Sequence, residues 1–329
     1  MADVVQNKPA SDASSGTGGG QVAAEAPEVA VLVLNWRRYD ETQECLESLQ
    51  SLEIPPRPRV YLIDQESDTA ALGHLVARFP EVVAIPLSGN LGYAGGMNRG
   101  IERALADGAK YLMLLNNDAR MTPPVVRQLL ALFKSHLHVG VAGPSLRFLP
   151  PDERVVSIGL EVNRWSGRVH LRHHGGLPEN LYPYPHQVDA VSGACLMISA
   201  EVLREIGPLD ESYFFYFEDV DLCLRARAAG WNVYCIPTAV VYHEGGATMG
   251  ESPDRVYYGV RNQLKVIAER GLNVAQPIAW GRNLYIVGLH LAQILSEKRV
   301  DTPSRLHTLW EGTRDFRRRS FGPRPPGGS

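Results

Sequence analysis

Cysteine is scarce in this chain: Cys45, Cys195, Cys223 and Cys235 are the four in 329 residues. They are scattered and none forms a C-x-x-C pair, which excludes a disulfide framework and leaves a zinc ribbon or thioredoxin-like redox site without support. Reduced thiols in a cytoplasmic setting are the expectation. No run of about 20 apolar residues occurs, so no spanning helix is expected. The N-terminus, MADVVQNKPASDASSGTGGG, lacks the basic start and apolar stretch of a signal peptide. Charge of one sign is also missing: 33 Lys+Arg against 36 Asp+Glu gives a net charge of -3. With no global basic field, nucleic acid is not an expected partner. Internal repeats are absent. What remains is 44% hydrophobic and 21% charged, an ordinary globular balance that excludes disorder throughout.

Residues 1–28 are rich in Ala, Gly, Ser and acid and read as a disordered leader. From Val29 the texture changes. VAVLVLNW is a continuous apolar run closed by polar residues, as in a strand buried on both faces. Helix follows over about 40–52, strand at VYLID, helix over 69–79, strand at VVAIPL, helix over about 96–107 and strand at YLMLLNND. TPPVVRQLLALFKSH is a further helix with Thr122 as its cap. Such alternation predicts an α/β fold with a largely parallel sheet and helices on both faces. Ligands of such sheets bind beyond the carboxyl ends of the strands. The residues to inspect are therefore Asn35, Asp64, the 90–98 loop and Asn116–Asp118.

Asp64 and Asp118 each end an apolar strand. Either is at home in a turn or a helix cap. Alternatively, Asp118 holds a hard cation against a diphosphate, as Mg²⁺ and Mn²⁺ favour carboxylate and phosphate oxygens. Between them, NLGYAGGMNRG places Gly92, Gly95 and Gly96 where a strand turns into a helix. There backbone N–H groups can approach a ligand, although glycine-rich helix entries also serve packing alone. The run is neither G-x-G-x-x-G nor a Walker loop. Later, Glu218, Asp219 and Asp221 crowd behind the aromatic block Tyr213–Phe217. Acids suit a helix N-terminus, and a carboxylate in apolar surroundings also suits a general base. His243 ends the apolar run VVYH as the two Asp residues end theirs.

In order, LVLNW, VYLIDQESD, NLGYAGGMNRG, LLNNDA, VSGACLMI, FFYFEDVDLCLRARAAGW and YHEGGAT span about residues 30–250. This set resembles the family 2 inverting glycosyltransferases, in particular their rhamnosyltransferase-like branch. The resemblance implies a GT-A (Rossmann-like) fold, a nucleotide-sugar donor and Mg²⁺ or Mn²⁺. It places Asn35 and Asp64 at the nucleoside pocket, and Asn90, Gly92, Gly95, Gly96, Asn98 and Asn117 at the donor. Asp118 and His243 would hold the metal, and Asp219 would be the catalytic base. Glu218, Asp221 and Trp36 would support the acceptor side. Two departures stand out: Gln65 follows Asp64 where the family usually has Asn, and the metal element reads Asn-Asn-Asp, with a single carboxylate.

The expected division is a leader over 1–28, a catalytic domain over 29–250, a helical extension over 251–315 and a basic flexible tail over 316–329. In the extension, Trp280, Leu284, Val287, Leu291 and Ile294 or Leu295 form one apolar stripe. It is read as packing on the catalytic domain or on a second subunit, giving a homodimer, or as lying in a membrane interface. From Lys298 to Ser329, eight Lys/Arg face three acids, an excess suited to the anionic inner leaflet. The functional expectation is a metal-dependent transfer of a sugar, rhamnose from dTDP-rhamnose first, to a glycan or polyprenyl-linked glycan in cell-surface polysaccharide synthesis. A nucleotide-sugar-forming nucleotidyltransferase and a non-catalytic glycan-binding protein are the competing readings. The first would want a glycine-rich, basic triphosphate loop, which LNWRRYDET does not offer. The second has no need of a base.

Overall fold

The computed structural model describes residues 26–52, 57–66, 68–136, 138–243, 252–297 and 301–325. The expected leader up to residue 25, the EGGAT end of the last motif and Lys298–Arg299 of the basic count lie outside them. The first half alternates as expected. Strands β1 (Val29–Asn35), β2 (Arg59–Asp64), β3 (Val83–Pro86) and β4 (Tyr111–Asn116) are separated by helices α1 (Tyr39–Gln50), α2 (Thr69–Arg78) and α3 (Gly92–Ala106). Asp68 caps α2, accepting from the N–H groups of Ala70 and Ala71 at 3.0 Å each. Helix α3 starts one turn earlier than periodicity indicates, at Gly92, so the glycine run is helix rather than loop.

A short β5 (Ala119–Met121) leads to α4 (Val125–Ser135), and then come β6 (Val139–Arg147), β7 (Val155–Ser157), β8 (Leu160–Val162) and β9 (Val169–Leu171). Thr122 does not cap α4: its hydroxyl donates to the Val240 carbonyl at 2.7 Å, tying the helix entry to a neighbouring strand. β10 (His186–Gln187), β11 (Cys195–Ser199), α5 (Ala200–Ile206), α6 (Glu218–Ala228) and β12 (Asn232–His243) complete the α/β body.

The main sheet runs β10-β12-β6-β11-β4-β1-β2-β3, with β5 attached to β12 and β7 to β6. β3, β2, β1 and β4 are mutually parallel, as are β6 and β12, while β11 lies antiparallel between β4 and β6. One apolar layer joins α3, α5 and α6 to the sheet and another joins α1, α2 and α4 to its opposite face. That two-sided burial explains why the central strands read as unbroken apolar runs. Parallel pairing also brings the ends of β1, β2 and β4 to one edge.

Three helices follow: α7 (Pro253–Arg270), α8 (Gln276–Ser296) and α9 (Thr302–Arg318). Val256, Val260, Leu264, Ile267, Ile286, Ile294 and Leu309 form their shared core. The stripe read from the α8 sequence is mostly not part of it. Ile286 and Ile294 are buried and Val287 packs against them, whereas Trp280 (66% exposed), Leu284 (75%) and Leu295 (54%) point outward. A helix apolar on more than one face shows the same periodicity for either side, so spacing alone selects the wrong face. The tail also departs from expectation: α9 runs through residues 316–318, and residues 319–325 continue over the body.

Candidate active site

Two chain crossings bring Asp118 and His243 together. β4 ends at Asn116, and β5 then pairs with the end of β12 so that His243 lies opposite Ala119. This register sets His243 Nε2 3.2 Å from Asp118 Oδ1, while Asn116 Nδ2 is 3.4 Å from the same ring nitrogen. Burial works against the Asp118 carboxylate, but His243, Arg38 and its own backbone setting hold its pKa below the ordinary value. His243 Nδ1 is buried without a hydrogen-bond partner among the described residues. Divalent cations bind carboxylate oxygen and imidazole nitrogen at about 2.1 Å, so two adjacent ligands end roughly 3 Å apart. The pair fits one cation on that measure. Among the described residues no group of three His, Cys, Asp or Glu side chains converges, so these residues would furnish two protein ligands.

Asn35 and Asp64 lie beneath the crevice instead of on its lining. Both are fully buried, and Asn35 Nδ2 donates to Asp64 Oδ1 at 2.7 Å. Tyr39 also donates to Asp64, and Thr42 donates to Asn35 Oδ1 at 2.9 Å. Asn117 Nδ2 bonds the Thr42 hydroxyl at 2.9 Å while lining the cavity, so it links this buried network to the open side. Gln65, the departure from the usual pattern, lines the cavity and accepts from the Leu91 N–H at 2.7 Å. It thereby fixes the entry to α3.

The cavity has a volume of about 410 Å³, within the roughly 300–1,000 Å³ of small-molecule sites. Trp36, Asn90, Gly92 and Asn116 are among its walls. Gly92 has a φ of +76°, and a side chain there would meet the Phe214 carbonyl oxygen at 2.4 Å; only glycine suits both demands. Its N–H is turned to Asn90 Oδ1 at 2.8 Å. Gly95 and Gly96 serve packing, since a Cβ would strike Leu91 at 2.8 Å or Leu34 at 2.5 Å. Asn98 does not line the cavity. Its side chain donates to the Leu209 carbonyl (2.9 Å) and accepts from the Leu209 N–H (3.1 Å), clamping α3 to the segment before the aromatic block.

That block sets the position of Asp219. Phe214, Tyr216 and Phe217 all have positive φ, at 63°, 69° and 74°, costing on the order of 1 kcal/mol or more each. Asn262 of α7, fully buried, holds them: its Nδ2 donates to the carbonyls of Tyr213 (2.9 Å), Phe215 (2.8 Å) and Tyr216 (2.9 Å). The neighbouring Arg261, also fully buried, donates to the Tyr213 carbonyl at 2.9 Å. The loop then enters α6 at Glu218. Asp219 Oδ2 accepts from the Gly193 N–H at 2.7 Å and Oδ1 from the Val220 N–H at 2.8 Å. A Cβ on Gly193 would crowd Asp219 at 3.3 Å, and the Gly193 carbonyl accepts from the Tyr93 hydroxyl at 2.6 Å. Tyr93 lines the cavity, so the chain Tyr93–Gly193–Asp219 joins the two sides of the site.

The three acids of α6 differ sharply. Burial raises the pKa of Asp219, opposed by the Gly193 and Val220 N–H groups. Glu218 rises well above the carboxylate range, first from burial and then from Asp219, and its Oε2 has no partner. Asp221 is fully buried between Arg225 (2.6 Å) and Arg270 (2.7 Å), a structural ion pair with no part in an acceptor surface. Tyr93, Gly193, Arg261 and Asn262 were not singled out by residue type. The VSGAC run already contained Gly193, but its partner lies 26 residues away.

The sequence profile described as "Glycosyltransferase like family 2" matches residues 26–257. The chain belongs to this family. It is a glycosyltransferase, and its fold is GT-A. A Mycobacterium tuberculosis protein named N-acetylglucosaminyl-diphospho-decaprenol L-rhamnosyltransferase is 29% identical over 213 residues, covering 59% of this chain and 69% of the relative. A dTDP-rhamnosyl transferase of Shigella flexneri is 26% identical over 201 residues, 58% and 65% of the respective chains. Among solved structures, a Pyrobaculum calidifontis mannosyltransferase in complex with GDP-Man and Mn²⁺ superposes with a TM-score of 0.54 over 91% of this chain and 84% of the other. Its 13% identity speaks to fold alone.

Proposed function

We propose that this glycosyltransferase is metal-dependent and inverting, and moves rhamnose from dTDP-rhamnose to a hydroxyl of a polyprenyl-linked glycan. The observation that carries the reading is Asp219: a half-buried carboxylate held by peptide N–H groups and, among the described residues, touched by no cation, linked through Gly193 and Tyr93 to a cavity whose wall includes Asn116 and Asn117, next to Asp118. An acceptor hydroxyl is a poor nucleophile until its proton is taken. Asp219 receives that proton as the oxygen attacks the anomeric carbon, and its raised pKa strengthens it as a base. The bond from that carbon to the diphosphate oxygen breaks on the opposite face, so configuration inverts and the nucleoside diphosphate leaves with the electron pair. Asp118 and His243 would hold the divalent cation, which when bound neutralises charge on the leaving diphosphate. Gly92, Asn90 and Trp36 shape the wall around the donor.

The names of the Mycobacterium and Shigella relatives support rhamnose, a dTDP donor and a decaprenyl-type acceptor. The test is nucleoside diphosphate release with dTDP-, UDP- and GDP-sugars, with and without EDTA and a polyprenyl-diphosphate-linked acceptor. Release from dTDP-rhamnose that stops on chelation is expected. Release from none of the donors would overturn the reading, and release indifferent to EDTA would remove the metal from it.

No helix among the described residues is long and apolar enough to cross a membrane. A lipid-linked acceptor must nevertheless be met at a bilayer surface. The exposed face of α8 carries Trp280, Leu284, Leu291 and Leu295 without a charged residue among them, and Arg317, Arg318 and Arg319 are exposed at the end of α9. This combination supports peripheral binding at the cytoplasmic leaflet. Flotation with phosphatidylglycerol vesicles is expected for the wild type and lost in L284S/L295S. A dimer in solution that L284S/L295S dissolves, without flotation, would assign the face to a second copy instead.

A further inference from the structure

The cavity is closed on one side by the C-terminal segment, which no motif in the sequence points to. Pro323, Arg324 and Pro325 line it together with Asp254 and Tyr258 of α7. The segment is held at several points. The Gly322 N–H donates to the Ser212 carbonyl at 2.8 Å, and the Gly322 carbonyl accepts from Arg261 Nη1 at 2.7 Å. The Arg324 N–H donates to the Tyr258 hydroxyl at 2.8 Å. Tyr258 in turn stacks on Phe214 with ring centres 5.4 Å apart. Tail, α7 and aromatic loop are thus one wall.

Charge gives that wall a task. Among the described residues lining the cavity, Asp254 and Arg324 are the charged ones. The Arg324 guanidinium pairs with Asp254 and with Glu311, while its buried Nε has no hydrogen-bond partner among the described residues. A nucleotide diphosphate brings at least two negative charges into this space. A lone Asp254 carboxylate would repel it.

We propose that the C-terminal segment 322–325 is part of the donor site, and that Arg324 is a positioning residue that cancels the Asp254 charge beside the anionic donor. This rests on the glycosyltransferase reading for the presence of such a donor. It adds that the chain's last described turn governs donor affinity.

The experiment measures binding of dTDP, UDP and GDP, each with Mg²⁺, by calorimetry. The proteins are the full chain and the variants R324Q, R324K, D254N and R324Q/D254N. For the nucleotide the wild type binds best, R324Q is expected to weaken binding about 10-fold, and R324K by less than half that factor on a logarithmic scale. R324Q/D254N is expected to recover most of the loss, because the repelling carboxylate is gone. Donor KM should follow the same order, and the R324Q defect should shrink with added salt. A merely structural arginine would not be rescued by D254N, and that result, or unchanged binding in R324Q, overturns this inference alone. Should R324Q not fold, R324K and D254N still decide: tighter binding in D254N supports the screening role and indifference in both variants overturns it. A wild type that binds none of the three nucleotides overturns the donor reading together with this one.

Discussion

The first turn of α6 and the turn after β4 both carry carboxylates close to the cavity wall, yet their surroundings are opposite. At the rim, Asp118 sits beside His243 and its pKa is held down, so it stays anionic and ready for a cation. In α6, Glu218 and Asp219 meet no cation among the described residues, and burial pushes both upward. Two residues on, Asp221 is clamped by two guanidinium groups. On the proposed reading, similar side chains at similar positions divide into a cation ligand, a proton acceptor and a structural tie, and only the partners tell them apart.

The largest effect that can break this comparison is at Asp219. Asp219→Asn keeps an acceptor oxygen for the Gly193 or Val220 N–H but cannot take a proton. Transfer should fall by about 10³-fold or more, with dTDP binding within a few-fold of wild type. Near-normal turnover in single-turnover assays would place the base elsewhere. At the rim, Asp118→Asn should cost roughly 10²-fold and raise the Mn²⁺ concentration needed for half-maximal rate. An unchanged metal requirement would separate Asp118 from any cation site.

The structural tie is tested by stability instead of rate. Asp221→Asn leaves Arg225 and Arg270 facing an amide, and breaking a buried ion pair costs about 3 kcal/mol. Urea unfolding should show that loss, while the surviving folded enzyme keeps its donor KM. A variant as stable as wild type would mean the two arginines find other partners.

Much of the fold was legible because strands buried on both faces are apolar runs that stop at the crevice, and Asn35, Asp64, Asn116 and Asp118 mark those stops. What the stops do was less legible. Asn35 and Asp64 share the position of Asp118, but parallel pairing sets them opposite each other, and they satisfy one another. Asn98 sits in the right motif, yet helix geometry turns it to Leu209. The positive-φ aromatic block has no local signature, because its conformation is held from Asn262, more than 40 residues onward. Spacing in α8 named apolar positions without naming the side they face. The tail's place over the cavity depends on Arg261 and Tyr258, which no pattern near residue 324 announces.

The smallest predicted effect sharpens the contrast most, because it needs no substrate. Glu218 is buried beside Asp219 with one oxygen unpartnered, and its folded pKa stands well above that of an unfolded chain. Unfolded glutamate titrates at about 4.3. Below that pH both states hold the proton, and Glu218 costs nothing relative to glutamine. As pH rises past it, the unfolded state releases the proton while the folded state retains it, so the folded state loses stability until its own raised pKa is passed. Glu218→Gln removes the linkage. The variant should match wild type near pH 4 and exceed it by about 1–2 kcal/mol at pH 7, seen as a higher urea midpoint at neutral pH. Asp118→Asn should show the opposite slope, because its pKa is lowered on folding: the carboxylate's contribution is present above the ordinary aspartate value and fades as pH falls through the lower one. Parallel pH–stability curves for the two variants would mean that the two ends of the crevice are electrostatically alike, and the division between cation ligand and proton acceptor would fall.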